Sequence, residues 1–115
     1  MSSSFVDYVV RDLLGGVEGV RARAMFGGHG VYKDDTFFAI VVGDELYYKA
    51  DASTRKDYER HGSEPFSYSR KDKKAVTMSY WKLPVEVMDD RQEFLEWTEK
   101  AVRVAKVKPK RSVLE

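Results

Sequence analysis

The hydrophobic residues follow a helical period at the start of the chain. Between Phe5 and Leu14 they fall on one stripe at spacings of three and four residues, which predicts an amphipathic helix. Ser3 or Ser4 is suited to cap its start, and Gly15-Gly16 to end it.

From Val20 onwards the hydrophobic pattern changes to a period of two, which is typical of strands. The alternating runs are separated by the two-residue turns Asp34-Asp35 and Gly43-Asp44, which are hairpin signals. The pattern therefore predicts a meander of three or four antiparallel strands. A short helix opened by Asp51 or Ser53, a second hairpin over 65–83 and a last helix capped by Asp89 or Asp90 complete the chain.

The predicted fold is α+β, with an antiparallel sheet of five to six strands, three helices and the order α-β-β-β-β-α-β-β-α. A chain of 115 residues fits a single domain. We expect this domain to span residues 1–105 and a flexible tail to span residues 106–115. Four of the 20 basic and one of the 19 acidic side chains lie in the tail, so the tail carries +3 and the rest −2. A body of that charge is a poor match for nucleic acid.

Composition excludes several classes of function. The chain has no cysteine, so it has no disulfide, thiolate nucleophile or cysteine zinc site. Its first residues lack the features of a signal peptide, and no apolar run approaches the ~20 residues that span a bilayer. We therefore expect a cytoplasmic protein that does not enter the membrane.

The segment Phe37–Val42 is apolar at every position, so both faces of its strand carry hydrophobic side chains. One interpretation is a central strand that helices bury on both sides; the other is a second face that meets a partner. The second interpretation predicts that one tyrosine of the pair Tyr47 and Tyr48 lies on an open face of the sheet.

The glycine-rich segment Gly27-Gly28-His29-Gly30 has two interpretations. It resembles an anion-binding nest for a phosphate or small molecule, with a histidine above it. A dinucleotide fingerprint, however, requires a following helix, and here a strand follows. A tight turn or bulge that needs glycine explains the segment more simply.

Two other clusters of polar residues are candidates for chemistry or binding. Asp57 and His61 stand four residues apart on a predicted helix, but two ligands do not make a metal site. The basic hairpin tip 70–74, beside Tyr68 and Tyr80, could contact phosphates and bases, although lysines also keep exposed turns soluble. We find no catalytic constellation and expect a non-enzymatic domain that needs neither metal nor cofactor.

The run Arg23-Ala24-Met25-Phe26-Gly27-Gly28-His29-Gly30-Val31-Tyr32 resembles the opening of the TfoX/Sxy N-terminal domain family. Further matches follow in order, at 38–39, 46–51, 64–66, 78–81, 83–84 and 95–97. The resemblance implies an α+β fold with an antiparallel sheet, in a stand-alone domain. The best-known full-length members of this bacterial family regulate natural competence together with a cyclic-AMP receptor protein.

We therefore expect a regulatory or protein-interaction domain, linked to transcriptional control of the competence type, that binds another protein or itself. The alternatives are nucleic-acid contact through the basic hairpin tip and tail, or a small-molecule site at the glycine turn. The candidate interaction surface has eight residues: Arg23, His29, Phe38, Tyr47, Tyr48, Lys49, Tyr80 and Trp81.

Overall fold

The computed structural model describes residues 2–25, 28–69 and 75–106, and it has the predicted α+β fold with one antiparallel sheet. The strands are β1 Val20–Met25, β2 Gly28–Lys33, β3 Thr36–Val42, β4 Glu45–Lys49, β5 Pro65–Ser69 and β6 Ala75–Lys82. The helices are α1 Ser2–Asp7, which continues as a π-helical segment Tyr8–Leu13, then α2 Arg55–Arg60, α3 Val85–Met88 and α4 Arg91–Lys106.

The strands lie in the order β1-β2-β3-β4-β6-β5. The first four form the predicted meander, and the second hairpin joins the sheet through β6, which pairs with β4. This arrangement makes β1 and β5 the two edges of the sheet. None of the helices in the described residues is long and apolar enough to cross a lipid bilayer.

The first helix differs from the single regular helix that we predicted. Its second part is π-helical, and the Leu14 N–H donates to the carbonyl of Val9, five residues earlier, at 2.9 Å. The apolar stripe identified the helix, but hydrophobic spacing does not report this wider turn. Gly15 follows shortly after the end of this segment. A Cβ atom at this position would overlap the carbonyl oxygen of Arg11.

Asp51 caps the turn that leads into α2, and Asp90 caps the start of α4, near the predicted positions. Asp51 accepts hydrogen bonds at 3.0 Å from the backbone N–H groups of Ser53 and Thr54. These bonds, with the Thr54 N–H first among them, lower the pKa of the Asp51 carboxyl. Asp90 likewise accepts from the Glu93 N–H at 3.1 Å, as an N-cap residue does. The short helix α3 was not predicted.

The helices pack on one face of the sheet. Residues that pair directly across two strands have their side chains on the same face of the sheet. Strands β3 and β4 contain two such pairs, Ala39 with Tyr48 and Val41 with Leu46. All four belong to a single buried cluster. The helices contribute the following residues to the same cluster: Val6, Val9, Leu13, Tyr58, Val87, Phe94, Trp97, Ala101 and Val102.

A β-bulge in β3 accounts for part of the uninterrupted apolar run. Val31 pairs with Ala39 while Tyr32 pairs with Phe37, so Phe38 is an extra residue without a partner on β2. Phe38 is fully buried, and its ring lies 5.6 Å from that of Tyr48 in the core. The bulge thus adds Phe38 to the helix-covered side, while Phe37 remains on the opposite side.

Candidate functional site

The face of the sheet opposite the helices is the candidate site, and we call it the open face. Strand register places the following residues on it: Arg21, Arg23, Tyr32, Phe37, Ile40, Tyr47, Lys49, Tyr80 and Lys82. Ile40 and Tyr80 are each only 6% exposed, although neither belongs to the helix-covered cluster. The open face therefore has a packed apolar layer of its own.

Three aromatic rings and two cations form a continuous row across the open face, which we call the aromatic column. The ring of Phe37 lies 5.1 Å from Tyr32 on one side and 5.5 Å from Tyr80 on the other. The guanidinium of Arg21 lies 5.2 Å from the Tyr32 ring, and the Lys49 ammonium 5.1 Å from the Tyr80 ring. Such cation–π contacts, one at the β1 end of the row and one beside Tyr80, stabilise the row electrostatically.

In the aromatic column, the faces of the rings contact other side chains of the same chain. Tyr32 and Phe37 are stacked at 24°, and Arg21 lies over the Tyr32 ring. Burial raises the pKa of the Tyr80 hydroxyl to about 12. These contacts occupy ring faces and leave ring edges, which carry partial positive charge.

A second group of contacts lies farther along the open face, around Tyr47. Its ring meets the ring of Phe66 edge-on at 5.0 Å, and its hydroxyl donates to Glu45 at 2.7 Å. Lys82 donates to the same carboxylate at 3.0 Å. The Tyr47 hydrogen bond, followed by the Lys82 one, lowers the pKa of Glu45. Burial, and then the bond to Glu45, raises the pKa of Tyr47.

Charge on the open face is mainly positive. Glu45 pairs with Lys82, and Asp35 lies 3.4 Å from Arg21. Within the part of the chain that the structure describes, Arg23 and Lys49 have no carboxylate within ion-pair distance; the Lys49 ammonium donates instead to a serine hydroxyl. The open face thus has two uncompensated cations, Lys49 within the aromatic column and Arg23 beside it.

The eight residues predicted from sequence divide between the two faces of the sheet. Four lie on the open face: Arg23, Tyr47, Lys49 and Tyr80. The other four lie on the helix-covered face: His29, Phe38, Tyr48 and Trp81. The predicted surface is corrected accordingly, because Phe38 and Tyr48 have no exposed area and belong to the core.

Three residues of the aromatic column were not predicted from the sequence: Arg21, Tyr32 and Phe37. A signal for two of them was present, because a two-residue turn at Asp34-Asp35 places Tyr32 opposite Phe37 across the hairpin. No sequence signal indicates that Tyr80 lies beside Phe37, because this contact depends on the pairing of β6 with β4.

The glycine segment is part of the sheet. Gly28, His29 and Gly30 are residues of β2 and all three pair with β1, while His29 and Gly30 also pair with β3. Phe26 and Gly27 lie outside the described residues. A Cβ atom at Gly28 would overlap the Val41 carbonyl oxygen, so glycine is required there by close approach of two strands. His29 Nδ1 is buried and has no hydrogen-bond partner within the described ranges.

Asp57 and His61, the candidate metal pair, have different partners. Asp57 forms ion pairs with Arg60 and Lys100, whereas His61 Nδ1 lies 2.9 Å from a carboxylate oxygen of Glu86. Over residues 2–25, 28–69 and 75–106, no group of three potential ligands is placed to hold a metal ion.

The predicted basic hairpin tip at 70–74 and residues 107–115 of the predicted tail lie outside the described residues. Lys106, which we expected to begin the tail, is the last residue of α4.

The chain matches a known protein family over most of its length. The family model of the TfoX N-terminal domain matches residues 12–105. The chain belongs to the TfoX N-terminal domain family. This TfoX N-terminal domain match spans all six strands and nearly the whole of α4. Among curated proteins, none matches the chain significantly.

Proposed function

We propose that this TfoX N-terminal domain is a non-enzymatic regulatory module that binds a partner protein through the open face of its sheet. The observation that carries the proposal is the aromatic column, whose rings lie on the face opposite the core cluster that the helices cover. Aromatic side chains are enriched at protein interfaces because they bury large areas and lose little conformational entropy.

The column favours a protein over nucleic acid as the partner. Single-stranded nucleic acids bind sheet surfaces by stacking bases on free aromatic faces. In the column, the Tyr32 ring lies between Arg21 and Phe37, and Phe37 lies between Tyr32 and Tyr80. A base would therefore have to displace contacts that the folded domain already makes.

The charge of the open face favours a different protein over a second copy of this chain. If two open faces met, both copies would bring an excess of basic side chains, Arg23 and Lys49 among them, into the same interface. Complementary potential instead requires an acidic surface on the partner. The competence regulators that typify the family support a regulatory role in the bacterial cytoplasm.

A pair of tyrosine-to-glutamate variants tests this proposal. Tyr47→Glu adds a negative charge to the open face, whereas Tyr8→Glu makes the same change at a residue that is 44% exposed outside the sheet. We expect size-exclusion chromatography of host-cell extracts to show the wild-type chain in a larger complex. Tyr47→Glu should shift it to the monomer position, and Tyr8→Glu should leave it bound.

The proposal is contradicted if both variants release the chain equally, or if the wild-type chain elutes as a monomer. Circular dichroism of both purified variants checks that the monomer remains folded.

A further inference from the structure

The two edges of the sheet differ in how they are protected from pairing with another strand. The β5 edge begins with Pro65, and its register with β6 is irregular between Pro65 and Ser67. Proline and irregular pairing are features that block the addition of a further strand. The β5 edge is therefore a poor template for a partner strand.

The β1 edge has neither of these features. It is six residues long, contains no proline and pairs with β2 in uninterrupted register from Val20 to Met25. In the described part of the chain, no strand and no backbone hydrogen bond reaches its outer side. Such an edge presents free N–H and C=O groups to an incoming strand.

The side chains of β1 indicate what kind of strand would fit. Arg21 and Arg23 point to the open face, but Arg21 folds back onto the Tyr32 ring and donates to the Asp34 carbonyl at 3.1 Å. Arg23 is exposed. On the helix-covered side β1 has the small residues Ala22 and Ala24, which leave space for larger apolar side chains from a neighbouring strand.

We propose that β1 accepts an extended segment of the partner protein as a seventh strand, in which acidic and apolar residues alternate. The acidic residues would lie opposite Arg21 and Arg23, and the apolar ones would extend the core beside Ala22 and Ala24. Backbone hydrogen bonds supply affinity in this mode of recognition, and alternate side chains supply specificity. This inference rests on the proposed function, because it specifies how the partner protein is held.

A second copy of β1 is a poor occupant of this edge. When two β1 strands pair antiparallel with both open faces on one side, the registers centred on Arg21, Ala22 or Arg23 set an arginine opposite an arginine of the other copy. Like charges directly opposite one another destabilise a sheet. An acidic strand removes this repulsion.

Peptide titrations followed by nuclear magnetic resonance test the inference. The probe is a blocked peptide of sequence Thr-Val-Glu-Val-Glu-Val-Thr, and its controls are Thr-Val-Val-Val-Glu-Glu-Thr and Thr-Val-Lys-Val-Lys-Val-Thr. We expect the first peptide to shift the amide signals of β1 and to slow hydrogen exchange of the outward β1 amides. Both controls should bind more weakly.

Two protein variants separate pairing at β1 from general charge attraction. Arg23→Glu should weaken binding of the glutamate peptide about fivefold and strengthen binding of the lysine peptide. Arg55→Glu, the same change at an exposed residue of α2, should leave both affinities unchanged.

The inference is overturned if the two glutamate peptides bind equally, if the shifts lie away from β1, or if no binding occurs at about 1 mM peptide. The Tyr47→Glu result does not depend on β1, so the contact through the open face can stand when strand addition fails.

Discussion

The hydroxyl groups of Tyr48 and Thr98 join the sheet to α4 inside the core. They lie 2.6 Å apart, and the Thr98 hydroxyl donates to the Phe94 carbonyl at 2.8 Å. Because Thr98 has one proton to donate, Tyr48 is the donor in the bond between them. Burial raises the pKa of the Tyr48 hydroxyl, so it remains protonated and able to donate.

This direction of donation predicts unequal effects of two substitutions. Tyr48→Phe removes a donor and should cost about 1 kcal/mol, whereas Thr98→Val leaves the Tyr48 hydroxyl buried without an acceptor and should cost about 2–3 kcal/mol. The double variant should cost less than the sum of the two. Urea unfolding measures all three; a larger loss in Tyr48→Phe than in Thr98→Val would contradict the assignment.

Among the structural elements, the strands and hairpins could be predicted because short turns fix both their limits and their register. The turn at Asp34-Asp35 is an example, since it aligns β2 and β3 at their near ends. The bulge at Phe38 and the π-helical segment Tyr8–Leu13 could not be predicted. Both place side chains in the core through packing between distant parts of the chain, which local periodicity does not report.

The junction after the π-helical segment gives a prediction with a matched control. In Gly15→Ala the new Cβ would overlap the Arg11 carbonyl oxygen, which is backbone and cannot move away cheaply. We expect a loss of about 1–3 kcal/mol in the free energy of unfolding. In Gly16→Ala the nearest atom is the end of the exposed Arg91 side chain at 3.4 Å, so stability should hardly change. Thermal unfolding that shifts equally in both variants would contradict this reading of the junction.

For the whole molecule, the sequence predicted the fold class but not the order of all six strands. Either strand of the second hairpin could have paired with β4, and the choice of β6 brings Tyr80 to Phe37. The candidate site was therefore only partly predicted. The sequence identified four residues of the open face: Arg23, Tyr47, Lys49 and Tyr80. It could not show that Phe38 and Tyr48 belong to the core, because that depends on which face of the sheet the helices cover.

The charge of the molecule is unevenly distributed between its two sides. The open face carries more basic than acidic side chains, although residues 1–105 carry a net charge of −2. The remaining surface of that body therefore has the acidic excess. The acidic partner that we propose would be oriented towards the sheet by this asymmetry.

The central claim, that the open face is the contact surface, is tested most directly by photo-crosslinking in host cells. Benzoylphenylalanine would replace Tyr47 on the open face or, as the control, Tyr8 on the π-helical segment. We predict a discrete protein adduct from position 47 that weakens when Lys49→Glu is added, and no adduct from position 8. Adducts from position 8 alone, or equal adducts from both positions, would contradict the claim.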